Sequence, residues 1–199
     1  GAVVGSVVPV LTPVVADAVS ALSKQAPIVP TAQATPGIRL RVDAPEQVGV
    51  DRVANALAAR EEYGVPAIVA DMGSATTFDV VDANGDLIGV VIAPGIRASA
   101  RALAASAAQL PDFQVAKPDS PLGTNTVASM QSGVYWGYVH LVRGFVQQLR
   151  EQVGDEARAI ATGGSTTNLI GDTGVFDVVD PDLTLKGLLL MKTAIESAE

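Results

Sequence analysis

The chain has 199 residues, enough for one large domain or two small ones. Apolar residues make up 48% of it, ample for a packed core, and a formal net charge of −8 sets its surface against phosphate backbones, which argues against nucleic-acid partners. It has no cysteine and one histidine, which excludes disulfides, thiolate nucleophiles, Cys-ligated zinc and a multi-His metal centre within one chain.

No apolar run is long enough to span a bilayer and no signal peptide is visible, so the expectation is a soluble cytoplasmic protein without membrane contact. From the start, Val3 to Val8 is a β-branched run closed by Pro9 and reads as a buried strand. Thr12 to Leu22 has apolar residues at helical spacing, with Thr12 as N-cap and Pro13 at the first helical position. The proline-rich stretch Pro27 to Leu40 reads as strand plus loop. In GVDRVANALAAREEYG, residues Val50, Val53, Ala54, Leu57 and Ala58 fall on one face of a helix that ends near Gly64.

From Pro66 the period changes to that of strands. Ala67 to Ala70 is a buried strand, DMGSATTFDVVD a tight turn and a second strand, and LIGVVIAPG a third after the hairpin signal Asn84-Gly85. Helices are predicted from Pro94 to about Ala108 and from about Asn125 to Val153. A short strand at Ala157 to Ala161, a helix opened by Gly163-Gly164-Ser165, a strand at Val175 to Val179 and a helix from Leu183 to Glu196 follow. His140 sits in the long helix as an ordinary surface or interface residue.

Three stretches carry chemistry. In DMGSATTFD, Asp71 to Asp79, a strand delivers a carboxylate to a cleft, Gly73 admits close backbone approach, and Ser74, Thr76 and Thr77 supply hydroxyls; a polar hairpin corner would use the same residues. In GVDR, Gly49 to Arg52, free N-terminal amides and an arginine suit an anion or carboxylate, and Asp51 gains from the helix dipole; a charged first turn capped by Asp51 is the plainer alternative. ATGGS, Ala161 to Ser165, is a Gly-rich strand-to-helix turn that fits a phosphate or simple turn chemistry.

Taken together, GVDRVANALAAREEYG, DMGSATTFD, VIAPG, GTNTVASMQSGVYWGY, IATGG and DPDLTLKGL resemble the type III pantothenate kinases in order and spacing, over about residues 4–188. The resemblance implies an α/β protein of the actin-like (ribonuclease H-like) fold, in which the order βββαβαβα from Ala67 onward forms one half. It implies transfer of the ATP γ-phosphoryl group to pantothenate, the first step of coenzyme A biosynthesis, with Mg²⁺ and a monovalent cation, K⁺ or NH₄⁺. Asp51 matches the family's catalytic aspartate, Gly49, Val50 and Arg52 the rest of its substrate-binding stretch, and Thr126 the threonine that contacts pantothenate. Asp71 matches the cation ligand. Ser74 replaces a threonine that contacts ATP, and Gly73, Gly163 and Gly164 fall on the ATP side. The family's dimeric habit implies a homodimer with sites at the subunit interface. Gly133, Gly137, Gly144, Ser132 and Ala128 give the long helix a small-residue stripe suited to it, with Tyr135, Trp136, Tyr138 and His140 alongside.

Departures from the family pattern set further expectations. No D-x-G-N-T stretch, the family's phosphate cradle, precedes Gly1; Val42 stands where a tyrosine is frequent, and Gly89-Val90 where Gly-Gly is usual. The expected architecture is a partial first lobe, residues 1–66, and a complete second lobe, residues 67–199. Unpaired edges and apolar faces of the first lobe would be covered by a partner or a second polypeptide, and these residues alone would be inactive. A non-catalytic ligand-binding or regulatory relative and an inactive truncated form are the competing readings. An ATP-dependent phosphorylation assay with pantothenate separates them.

Overall fold

The computed structural model describes residues 1–106, 111, 113–164 and 170–198. Its centre is a five-stranded sheet in the order β3-β2-β1-β4-β5, with β1 Ala67–Met72, β2 Ala75–Val81, β3 Leu87–Pro94, β4 Arg158–Thr162 and β5 Val178–Val179. The first three strands run antiparallel as consecutive hairpins, and β4 and β5 join β1 in parallel. This mixed order, with one antiparallel neighbour inserted beside a parallel set, is the ribonuclease H-like sheet of the actin-like fold.

The β2–β3 hairpin forms where its turn chemistry places it. Asp82 Oδ1 accepts from the amides of Asn84 (2.9 Å) and Asp86 (3.0 Å), and Gly85 takes a φ of 82°. Strand alternation then sorts side chains between two helical layers. Ile68, Ala70, Met72, Phe78 and Val80 face α4 (Thr126–Val153) and α3 (Ile96–Ser106). Ala67, Val69, Val81, Leu87 and Ile160 face α2 (Val50–Tyr63), with Leu183 at the start of α6 (Leu183–Ala198) in the same cluster. By the same alternation Asp71, Thr77 and Asp79 point to the α2 side.

Helices α2 and α6 pack closely because Gly187 lies on Ala54: a Cβ at position 187 would meet the Ala54 carbonyl oxygen at 1.9 Å. The DPDLTLKGL stretch fixes this contact. Asp180 accepts from Tyr63 Oη (2.8 Å), Lys186 Nζ (2.7 Å) and the Asp182 amide (3.1 Å), tying the end of α2 to the start of α6. The long helix α4 starts as predicted, with the Asn125 side chain accepting from the Ala128 amide at 3.0 Å.

The N-terminal region differs from the expectation. Val3 to Val8 is not a buried strand: only Val3 pairs, in a single bridge with Ile28, and Val7 and Val8 are exposed. A β-branched run becomes a strand only against a neighbour, and here the neighbour is one residue long; Ser6 Oγ then bonds to the Val8 amide and turns the chain. The stretch Pro27 to Leu40 likewise contributes two isolated bridges, at Ile28 and at Leu40 with Leu87. Helix α1 (Thr12–Ser23) forms, but Thr12 is its first helical residue rather than its cap, and its hydroxyl donates to the Val8 carbonyl. None of its residues is buried, and Val14, Val15 and Leu22 are exposed. Toward the C-terminus, α5 occupies Ile170–Thr173; the predicted helix start at Ser165, like Ala107 and Ala108 at the end of α3, lies outside the described residues. Among the described residues no helix is long and apolar enough to cross a membrane.

Candidate active site

Where the start of α2 meets the ends of β1 and β2, a cavity of about 640 Å³ opens. Gly49, Asp51, Arg52, Asp71, Gly73 and Ser74 all line it, so two separate sequence motifs converge on one wall. Val42 and Val90, two of the positions that depart from the family pattern, line the same cavity.

The first turn of α2 is shaped around Asp51. Its Oδ1 accepts from the Arg52 amide at 2.9 Å, which folds the carboxylate back over residue 49. A Cβ at Gly49 would meet that Oδ1 at 2.4 Å, so any side chain there would displace the Asp51 carboxylate. Val50 is buried in the core beside Val53 and Ala54 and does not line the cavity.

Arg52 is the hub. Its Nη2 donates to Asp51 Oδ2 at 2.7 Å and to Asp71 Oδ2 at 2.8 Å, while Nη1 donates to Asp79 Oδ2 at 3.2 Å and to Thr77 Oγ1. Asn55, one helical turn on, donates to the same Asp79 oxygen at 2.9 Å and accepts from Thr184 Oγ1 of α6 at 2.7 Å. Burial works against the Arg52 charge, but Asp79, Asp51 and Asp71 together hold its guanidinium above its usual range. One cation among three carboxylates leaves the cluster acidic. Asp79 has no exposed surface, and burial pushes its carboxyl up to about 7, against the pull of Arg52 and Asn55 and with the help of Asp71 and Asp51.

On the far side of Asp71 lies the turn after β4. Asp71 pairs with Thr162 in register, and a Cβ at Gly163 would meet Asp71 Oδ1 at 2.6 Å. Gly163, with φ of 94°, therefore abuts the carboxylate, whereas a Cβ at Gly164 would meet none of the described residues within 4 Å. Thr162 Oγ1 is buried and has no hydrogen-bond partner among the described residues. Thr126 is not brought to this cavity. It stands at the first turn of α4 and lines a different one, of about 600 Å³, with Asn125 and Ser129.

Sequence reasoning passed over Asp79, Asn55, Thr184 and Thr162. Asp79 ends the DMGSATTFD motif but carried no role. The available signal was geometric: polar residues at 71, 77 and 79 share a face of the β1–β2 hairpin, and Arg52 and Asn55, three apart, share the helix face that must cover it.

A family model for type III pantothenate kinases matches residues 1–148. A type III pantothenate kinase of Dehalococcoides mccartyi is 42% identical over 186 residues, 94% of this chain and 72% of its own. One from Acidiphilium cryptum is 42% identical over 191 residues, 96% of this chain and 72% of its own. A solved Campylobacter jejuni structure described as of the Baf family overlaps 77% of this chain and 66% of its own, at 25% identity and a TM-score of 0.49.

Proposed function

The chain belongs to the type III pantothenate kinase family, and from that membership we propose how its residues carry the phosphoryl transfer. The family's reaction is the ATP-dependent phosphorylation of pantothenate in coenzyme A biosynthesis, with pantothenate and ATP as substrates. The observation that carries the assignment of roles is the meeting of Asp51 and Asp71 on one cavity wall, both bonded to the same Arg52 nitrogen.

Asp51 is the general base. It orients the pantothenate hydroxyl and takes its proton late, once the forming P–O bond has made that hydroxyl acidic. Gly49 and Val50 supply the backbone that places it. The Arg52 fork is filled by carboxylates, so its part is to space Asp51 from Asp71 rather than to receive a free anion. Gly73 and Ser74 bring backbone and hydroxyl to the nucleotide side of the cavity, and Gly163 and Gly164 close it beyond Asp71.

A monovalent cation, K⁺ or NH₄⁺, fits beside Asp71. Oxygen donors suit such a hard cation, and the buried Thr162 hydroxyl, which has no partner among the described residues, lies across the strand pair from that carboxylate. Among the described residues there is no cluster of three or more His, Cys, Asp or Glu able to hold a metal ion. Mg²⁺ is accordingly assigned to the nucleotide phosphates, with few protein ligands. Bound there, the cations offset negative charge on the phosphate oxygens.

Thr126 joins the pantothenate site in a homodimer, through α4 of a second copy. Gly133 and Gly137 on α4 have open space beside them, and His140 is exposed, which supports close approach along that face. Tyr135 and Tyr138 are buried within the chain and serve its own core instead. The division into lobes at residue 66 belongs to the same proposal, with α2 packed on the sheet of the second lobe although it precedes it in sequence.

The test is Asp51→Asn in the natively expressed enzyme. Loss of a general base costs about 10²–10⁴-fold in kcat, and ATP binding by calorimetry should stay within about threefold, because Asn is nearly isosteric. An Asp51→Asn enzyme that turns over at the wild-type rate removes Asp51 from the chemistry.

A further inference from the structure

Asp79 is completely buried on the same sheet face as Asp71 and Thr77, does not line the cavity, and is given no part in the reaction described above. A buried carboxylate is costly unless something fixes and satisfies it. Here it is satisfied from two sides. Asn55 Nδ2 donates to Oδ2 at 2.9 Å, and Asn55 is itself held by Thr184 Oγ1 from α6. Arg52 Nη1 donates to Oδ2 at 3.2 Å and lies 3.4 Å from Oδ1.

The geometry of the guanidinium gives this arrangement a consequence. The group is planar and rigid, so fixing one terminal nitrogen fixes the direction of the other. Nη1 is anchored by the fully buried Asp79 and by Thr77, which lines the cavity; Nη2 then points along the wall to Asp51 and Asp71 at 2.7 and 2.8 Å. A chain of contacts thus runs from α6 through Thr184, Asn55, Asp79 and Arg52 to the two working carboxylates. Without its rear anchor the fork is free to pivot on its two front partners, and they lose a fixed spacing. We propose that Asp79, set by Asn55 and Thr184, is a positioning residue for the phosphoryl transfer, holding the Arg52 fork so that Asp51 and Asp71 keep their working separation.

This inference rests on Asp51 being the base, and the test separates the two. Asp79→Asn, Asp51→Asn and the double variant are assayed in the natively expressed enzyme at a pH of about 8.5, above the raised value of the buried carboxyl. Misplacement of a catalytic group by about 1 Å costs on the order of 10²-fold. Asp79→Asn is therefore expected to lower kcat about 10- to 100-fold, with both KM values within about threefold. Because it acts through Asp51, the double variant should lose no more than about threefold beyond Asp51→Asn alone. A purely architectural Asp79 predicts the reverse: lower thermal stability, unchanged kcat in the folded fraction, and multiplicative losses. Either unchanged kcat or multiplicative losses overturns the proposal. An active Asp51→Asn enzyme overturns the assignment of the base instead. Should Asp79→Asn fail to fold, Thr184→Val decides, since it removes only the hydroxyl that orients Asn55. A kcat lowered several-fold supports the chain of contacts, and an unchanged kcat overturns it.

Discussion

Asp79 sets a pH dependence of stability that runs opposite to that of an ordinary salt-bridged carboxylate. In the unfolded chain its carboxyl titrates near its usual 3.8; in the fold, burial raises it to about 7. The folded state therefore binds the proton more tightly, and between these values it carries more protons than the unfolded state. Stability changes with pH in proportion to protons bound unfolded minus folded, which is negative here, so this contribution is lost as pH rises from about 4 to about 7 and levels off above. A rise from 3.8 to about 7 corresponds to about 4 kcal/mol at 1.36 kcal/mol per pH unit, as an order of magnitude. The group is fully buried, so solvent screening takes little from that figure. The perturbation is Asp79→Asn, which keeps the shape and removes the titration. Urea unfolding of wild type and variant, at steps of about one pH unit from about 4.5 to about 8, gives two stability curves. Their difference should shift against the wild type by about 3 kcal/mol across this range, the part of the full effect that lies above a pH of about 4.5. Parallel curves would refute the reasoning. A difference that shifts in favour of the wild type as pH rises would show that Arg52 and Asn55 outweigh burial and hold Asp79 ionised.

Asp71→Asn is expected to raise the KM for ATP about tenfold and to abolish activation by K⁺, read from initial rates across a KCl titration, with folding retained; about 1.4 kcal/mol of lost binding corresponds to that factor. Activation by K⁺ that survives the change would move the cation elsewhere. Gly187→Ala forces a Cβ to within 1.9 Å of the Ala54 carbonyl oxygen, backbone against backbone, where no side chain can rotate away. It should cost about 3 kcal/mol or more and lower Tm by about 10 °C, because α6 must lift from α2. An unshifted melting curve would place the helix contact elsewhere.

How far the sequence could be read depended on whether a feature was local. The β2–β3 hairpin was legible because Asn84-Gly85 supplies its own turn and the flanking runs alternate their own faces. Helix α2 was legible for the same reason, from the spacing of Val50, Val53, Ala54 and Leu57 to its stop at Gly64. The failed strand at Val3 to Val8 had equal local propensity but only a one-residue neighbour at Ile28 among the described residues, and a strand is a relation between segments. The DPDLTLKGL stretch was visible as a motif, yet its work, joining α6 to α2 through Asp180 and Gly187, depends on residues more than a hundred positions away.

Arg52 shows the same division inside the site. Its position in a Gly-x-Asp-Arg turn placed it correctly on the cavity wall, and an arginine fork at a helix start suggests an anion. The fork selects a partner by geometry and charge, however, and three aspartates reach it first: one from its own turn and two from the strand face that α2 covers. Asp71 and Asp79 arrive there because β1 and β2 pair with Asp71 opposite Thr77 and Val69 opposite Asp79, a register that no single motif encodes. Bonded to three carboxylates, Arg52 belongs, in the reading proposed above, to the wall that orients them. The chemistry of the residue was thus readable from sequence, while its partners follow from the strand register and from the packing of α2 on the sheet.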